Sequence, residues 1–271
     1  MSAIPENFRF SQSSLSAFTE CHRRFWWRYV RRVEWPAPLT DQLEEWEKAI
    51  ERGQLFHHWV QQDALGLAVD QWALVHEDEL LVQWWKNFRT QPPQGLPTGA
   101  VFSEIQLSLP LGSNRVIAKF DRVICADDDR VFIVDWKTGR RLPKQADFVG
   151  NWQTFVYRYV MAEAGRELNG GKDLEPEQIS LVYWHANFPH ALEPIAYSAR
   201  EHEKAGENLL KTMETICSLG ESEDDFPLTE DLGKCKRCVY SALCERGRER
   251  DDDWDIEDDD ISWQEIPEAE L

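Results

Sequence analysis

Apolar and polar residues alternate with the period of a β-strand in two adjoining parts of the chain. Residues 101–111, VFSEIQLSLPL, form one alternating run, with Glu104, Gln106 and Ser108 on a shared face. Residues 115–137, RVIAKFDRVICADDDRVFIVDWK, read as a β-hairpin. Two runs rich in Val, Ile and Phe flank the turn-forming cluster Ala126-Asp127-Asp128-Asp129. Residues 179–185 and 193–198 supply two further strands. The period changes to that of a helix in residues 11–33, 40–65, 70–90, 146–164 and 199–219. Ser residues open the first of these, and Gly53 is a point where the second can bend. QPPQGLPTG, residues 91–99, is a linker dense in Pro and Gly. Strands and helices interleaved in this way predict an α/β fold.

Each arm of the hairpin carries a carboxylate where an apolar residue is expected. Asp121 interrupts the first arm, and Asp135 follows Val131-Phe132-Ile133-Val134 in the second. Alternation puts Asp135 and Lys137 on one face with Trp136 on the other, and folding about the turn brings Asp121 near Asp135. Two like charges held close repel, and burial penalises each. A hard dication such as Mg²⁺ or Mn²⁺ removes the conflict by taking carboxylate oxygens. Lys137 can then stabilise charge developing on a phosphoryl group. Glu104 either joins this acidic patch or lies on the solvent side of its strand. His57 lies four residues after Gly53 on one helical face and offers an imidazole. Gln153 and Tyr157 are spaced the same way and offer an amide and a phenol to a phosphate or to Lys137.

Charge and cysteine usage refine this. The net charge is −19, which by itself disfavours a nucleic-acid partner. The final 23 residues, 249–271, hold twelve acids and one Arg, so the first 248 carry only −8. That acidic stretch reads as a disordered tail able to bind a protein partner. Residues 21–32 interleave Arg23, Arg24, Arg28, Arg31 and Arg32 with Phe25, Trp26, Trp27 and Tyr29. This mixture suits a nucleic-acid strand, or an amphipathic helix with aromatic core residues and solvated arginines. The chain has no apolar run of 18 residues and its N-terminal stretch lacks a signal-like apolar segment, so no membrane association and a cytoplasmic location are expected. Structural disulfides are rare in that compartment. Cys235, Cys238 and Cys244, spaced C-x₂-C-x₅-C, then call for a fourth ligand to a zinc ion or a [4Fe–4S] cluster. Cys21, Cys125 and Cys217 are the candidates.

Taken together, these segments resemble the PD-(D/E)XK nuclease superfamily, and specifically its RecB-like branch with an iron–sulfur cluster. That branch includes CRISPR adaptation nucleases and the nuclease domains of recombination helicase–nucleases. Ser14-Leu15 through Cys21 resemble its N-terminal cysteine helix, and Gly53 with His57 its G-x-x-x-H element. Asp121 in KFDRV resembles the second motif, although the family often has Gly where Lys119 or Phe120 stands. Asp135-Trp136-Lys137-Thr138-Gly139 resembles D-x-K-T-G, and Gln153 with Tyr157 resembles Q-x-x-x-Y.

The resemblance implies a restriction-endonuclease-like core, a mixed sheet flanked by helices, with an N-terminal helical region and a C-terminal cluster segment. Residues 1–248 would form the nuclease domain, with a helical insertion at about 40–90. His57, Asp121 and Asp135 would bind Mg²⁺ or Mn²⁺; Asp121, Asp135, Lys137, Gln153 and Tyr157 would form the catalytic set. Cys21, Cys235, Cys238 and Cys244 would hold a [4Fe–4S] cluster, with Zn²⁺ the alternative. The implied activity is a metal-dependent DNA nuclease acting on single-stranded DNA or free ends, in repair, recombination or CRISPR adaptation. Two other functions compete: a non-catalytic nucleic-acid-binding subunit, and a zinc-stabilised interaction protein.

Overall fold

The computed structural model describes residues 3–33, 42–190, 192–236 and 238–246, with side chains in the 42–64 helix described from residue 48. The acidic tail at 249–271 lies outside the described residues.

A mixed sheet forms the centre. Its strands are β1 (Arg9–Phe10), β2 (Gly99–Leu111), β3 (Asn114–Ala126), β4 (Val131–Lys137), β5 (Ile179–His185) and β6 (Ile195–Ala196), in the order β1-β3-β4-β5-β6 with β2 also paired to β3. The β3–β4 hairpin turns at Asp129, whose φ of 65° is a left-handed conformation that Asp tolerates better than most residues. β4 and β5 run parallel, in register from Val131–Ile179 to Lys137–His185. The antiparallel β3–β4 ladder is shorter, pairing Arg122–Cys125 with Val131–Val134. Beyond Arg122 and Val134 the two strands part, and the gap between them positions the site.

Alternation along β4 sends Val131 and Ile133 to one face and Phe132, Val134 and Trp136 to the other, giving the sheet two separate cores. On the first face pack α1 (Gln12–Glu20), α7 (Trp152–Ala164) and α8 (Ala199–Ser218). Each begins at a polar cap: Ser11 accepts from the Ser14 amide, Asn151 from that of Thr154 and Ser198 from that of Glu201. On the second face pack α3 (Gln42–Ala64), α4 (Val69–Ala73) and α5 (Glu79–Thr90). Phe56, Trp84, Phe88, Trp136 and Trp184 interlock there through edge and stacked ring contacts. The large tryptophan content is spent partly on this second core.

Several expectations change. The helix expected over 70–90 is two, α4 and α5, parted where Asp78 caps the second, and the strand expected over 193–198 is only Ile195–Ala196. The helix expected over 11–33 breaks at Cys21, which is extended (φ −161°, ψ 114°) between α1 and α2 (His22–Phe25), and residues 26–30 then form a wider π-type turn. α3 runs through Gly53 without interruption. The helix expected over 146–164 is two, α6 (Gln145–Val149) and α7, separated where Asn151 caps the second. Among the described residues no helix is long and apolar enough to cross a membrane.

Candidate functional site

The site lies where β3 leaves β4. The inward-facing positions of β3 run Val116, Ala118, Phe120 and then shift to Val123 and Cys125; those of β2 shift likewise between Phe102 and Ile105. The β2–β3 ladder pairs Ser103 with Arg122 and Ile105 with Phe120, and is interrupted between them at Glu104 and Asp121. Glu104 has a φ of 53°, a strained conformation for a residue with a long side chain. This shared irregularity releases both carboxylates from the sheet's alternation. His57 arrives from α3 on the second face. One ligand atom each from His57, Glu104 and Asp121 all lie within 4.8 Å of one another, and this group could hold a metal ion. Glu104, left open by the sequence, therefore belongs to the acidic patch. The parity shift in IAKFDRVIC is the signal that could have placed it.

Asp121 is tightly held. Its Oδ2 accepts from the Trp136 amide (2.9 Å), closing the gap left by the parted strands, and its Oδ1 lies 3.4 Å from His57 Nδ1. Burial acts to raise its pKa, but His57, the Trp136 N–H and Lys137 together hold it below the ordinary carboxylate range.

The remaining candidates form a buried chain on the first face, reached from α7. Lys137 Nζ donates to Gln153 Oε1 (2.9 Å) and lies 3.3 Å from Asp135 Oδ2. Gln153 Nε2 donates to Asp135 Oδ1 (2.9 Å) and to the Tyr157 hydroxyl (3.2 Å). Asp135, Lys137 and Gln153 are 3%, 6% and 8% exposed, so this polar network is desolvated and its members are held in fixed geometry. Burial, with Asp135 and Asp121 nearby, pushes the Tyr157 phenol well above its usual range, so it stays neutral. The sequence assigned no role to Tyr183, which pairs with Asp135 in the β4–β5 register. Its ring lies 5.5 Å from Lys137 Nζ, and its hydroxyl bonds the Thr154 hydroxyl (2.8 Å).

The cysteines gather elsewhere. Cys21, in the break between α1 and α2, lies near the C-terminal turns: besides burial, Cys21 and Cys244 act to raise the Cys238 pKa, and Cys21 and Cys235 that of Cys244. Burial pushes Cys238 up to about 11, opposed by the Arg24 guanidinium. Arg23 opposes the rise at Cys244, and Arg246 Nη1 stands 4.0 Å from Cys235 Sγ. Among the described residues, no three of these thiols lie within 4.8 Å of one another as the ligand atoms of His57, Glu104 and Asp121 do. Cys125 lies in the sheet core and Cys217 accepts from Asn114 Nδ2 (3.4 Å). Part of the basic-aromatic stretch is used structurally, while Arg31 and Arg32 are exposed. Phe25 and Trp26 are buried, Arg24 pairs with Glu20, and Arg23 binds Glu223 and the Phe226 carbonyl.

The geometry has two parts: an imidazole–carboxylate group able to hold a cation, and beside it a buried Asp-x-Lys pair steadied by a helix. A family model of the PD-(D/E)XK nuclease superfamily matches residues 9–245, and the chain belongs to that superfamily. Nuclease superfamily membership agrees with the motifs, and the mixed sheet flanked by helices is consistent with a restriction-endonuclease-like core. No curated protein matches the chain. Among solved structures the chain is similar to a "putative exonuclease" from Eubacterium rectale, at 12% identity and a TM-score of 0.47, over 77% of this chain and 79% of that one. It is also similar to SSO0001, at 12% identity and a TM-score of 0.38, over 90% of this chain and 89% of the other.

Proposed function

We propose that this chain is a divalent-metal-dependent deoxyribonuclease of the RecB-like type, acting on single-stranded DNA or DNA ends. The observation that carries the reading is the convergence of His57, Glu104 and Asp121 from three elements, in a site whose Lys137 also acts on the Asp121 carboxyl. The hard carboxylate oxygens of Glu104 and Asp121 suit Mg²⁺ or Mn²⁺. Such an ion, when bound, supplies Lewis-acid polarisation of the phosphate and an acidified water. Asp135 is a further ligand candidate, with its oxygens turned in this structure to Gln153 and Lys137. Lys137 stabilises charge on the scissile phosphate, and Gln153 aims it. Tyr157 accepts from Gln153 and fixes that amide's orientation.

The same reading makes residues 1–248 one nuclease domain with a helical insertion at about 40–90. Cys21, Cys235, Cys238 and Cys244 would hold a [4Fe–4S] cluster or a zinc ion that ties the ends of the domain. The nearness of Cys21 to Cys238 and Cys244 supports that tie.

The test is cleavage of end-labelled single- and double-stranded DNA with Mn²⁺. Products should form with Mn²⁺ and vanish with EDTA. Lys137→Met should be at least about 100-fold slower, the usual cost of removing one charge-stabilising group. A Lys137→Met protein as fast as the parent refutes the assignment.

A further inference from the structure

The β4–β5 ladder ends at Lys137 and His185, and the β3–β4 ladder ends three residues earlier, at Val134. Lys137 therefore sits at the last paired position of its strand, and the backbone after it needs other partners. Residues 186 and 187 supply them. The Ala186 amide donates to the Lys137 carbonyl (2.7 Å). Asn187 Nδ2 donates to the carbonyls of Thr138 (3.2 Å) and Gly139 (2.7 Å). Three consecutive carbonyls are thus held by two consecutive residues.

The other end of the Asn187 amide is equally committed. Its Oδ1 accepts from Trp84 Nε1 on α5 (2.8 Å), and its backbone amide donates to His185 Nδ1 (3.3 Å). This pattern also fixes which way the amide points, since an indole N–H needs an oxygen and carbonyls need a donor. From the same helix, Asn87 Nδ2 donates to the Ala186 carbonyl (2.7 Å). Trp84 packs edge-on against Phe56, which neighbours His57 on α3.

We infer that Asn187 is a positioning residue for the nuclease reaction: its side chain prolongs the β4–β5 ladder past Lys137 and straps that segment to the helical layer carrying His57. The inference rests on the nuclease reading above. The two halves of the site come from opposite faces of the sheet, His57 with α3 and the Lys137–Gln153 network with α7. Trp84–Asn187 is a direct polar link between the first half's layer and the backbone of the second. A displacement of about 1 Å at a catalytic group is enough to cost a large factor in rate.

The test uses three single variants of the full chain and one double variant. Asn187→Asp keeps the shape but turns an oxygen on the two carbonyls, Asn187→Ala removes the amide, and Trp84→Phe keeps a packed ring without the N–H. Single-turnover cleavage at saturating Mn²⁺ and DNA should fall at least tenfold for Asn187→Asp and about threefold for Trp84→Phe. DNA affinity, measured with Ca²⁺ in place of Mn²⁺, should stay within twofold. The Trp84→Phe/Asn187→Ala double variant should be no slower than Asn187→Ala, because both act through one amide. Hydrogen exchange of amides 137–140 should accelerate in both Asn187 variants. Unchanged exchange in both overturns the strap whatever the activity. Faster exchange with cleavage within twofold of the parent overturns the positioning role. If Asn187→Asp fails to fold, the other two variants decide alone. A parent that cleaves no nucleic acid refutes the nuclease reading instead, and the exchange arm still tests the strap.

Discussion

Replacing Lys119 by Gln should make the chain bind Mn²⁺ more tightly in the absence of DNA. Lys119 Nζ lies 2.9 Å from Glu104 Oε2, on the carboxylate that joins His57 and Asp121. A dication drawing on Glu104 must compete with that ammonium. The Lys119 side chain is 37% exposed and that of Glu104 17%, so the pair is partly solvated and its attraction is screened. Pairs of this kind contribute about 0.2–1 kcal/mol. Giving up that much on binding weakens metal affinity by roughly 1.4- to 5-fold, at about 1.4 kcal/mol per factor of ten. Repulsion between the ammonium and the ion adds to the same sign. Titration calorimetry with Mn²⁺ at low salt should therefore show a two- to fivefold lower Kd for Lys119→Gln. The advantage should shrink as salt is raised.

Two controls make the reasoning refutable. Asp121→Asn defines the heat that does not come from this site. Glu104→Gln should weaken binding, and adding Lys119→Gln to it should bring a smaller gain than in the parent, since only the direct repulsion is left to relieve. A Lys119→Gln protein binding Mn²⁺ as weakly as the parent, or more weakly, would show that the ammonium does not oppose the ion.

Other outcomes follow from separate parts of the molecule. Tyr157→Phe removes the acceptor for one Gln153 hydrogen in a fully buried network and should lower stability by about 1–3 kcal/mol, read by denaturant unfolding. Asp78 caps α5 by accepting from the amides of Leu80 and Leu81, so Asp78→Ala should cost about 1 kcal/mol at neutral pH. Burial acts to raise the Asp78 pKa, but its bonds to Leu81, Leu80 and Arg52 hold it below the ordinary value. Its contribution is thus complete above the unfolded pKa of about 3.9 and lost as pH falls through the lower folded value. The gap between parent and Asp78→Ala should close in that acid range. Cys21→Ser should lose bound iron or zinc and lower the thermal midpoint, by elemental analysis and calorimetry, whereas Cys217→Ser should leave metal content unchanged.

The hairpin and the Q-x-x-x-Y helix were legible because their information is local. Alternation alone puts Asp135 and Lys137 on one face, and four-residue spacing alone aligns Gln153 with Tyr157. Glu104 was not legible by the same rule, because strict alternation fails at that point. Its strained φ and the parity shift at Phe120–Val123 come from two strands bending together, which no single-strand period contains. Cys21 was misjudged in backbone. The aromatic spacing of residues 22–30 continues that of α1, and nothing local announces the extended residue between them. Asn187 was invisible because its four hydrogen bonds reach Trp84, Thr138, Gly139 and His185. Three of these are about 50 or 100 residues away along the chain.

The site depends on an interruption in regular structure. Had β3 stayed paired with β4 beyond Val134, the Trp136 amide would be spent on a strand carbonyl instead of on Asp121, and the carboxylate would lose the donor that offsets its burial. Had the alternation at the Phe102 end of β2 and the Val123 end of β3 continued, Glu104 and Asp121 would follow the inward set into an apolar core, where an ionised carboxylate is costly. The parted strands leave polar backbone groups that must be satisfied. They are satisfied by side chains that also form the site or stand next to it: Asp121 on the Trp136 amide, and Asn187 on the carbonyls after Lys137. The opening in the sheet and the residues that fill it are therefore coupled. Restoring the ladder would remove the chemistry, and removing the fillers would leave the ladder's ends unpaired.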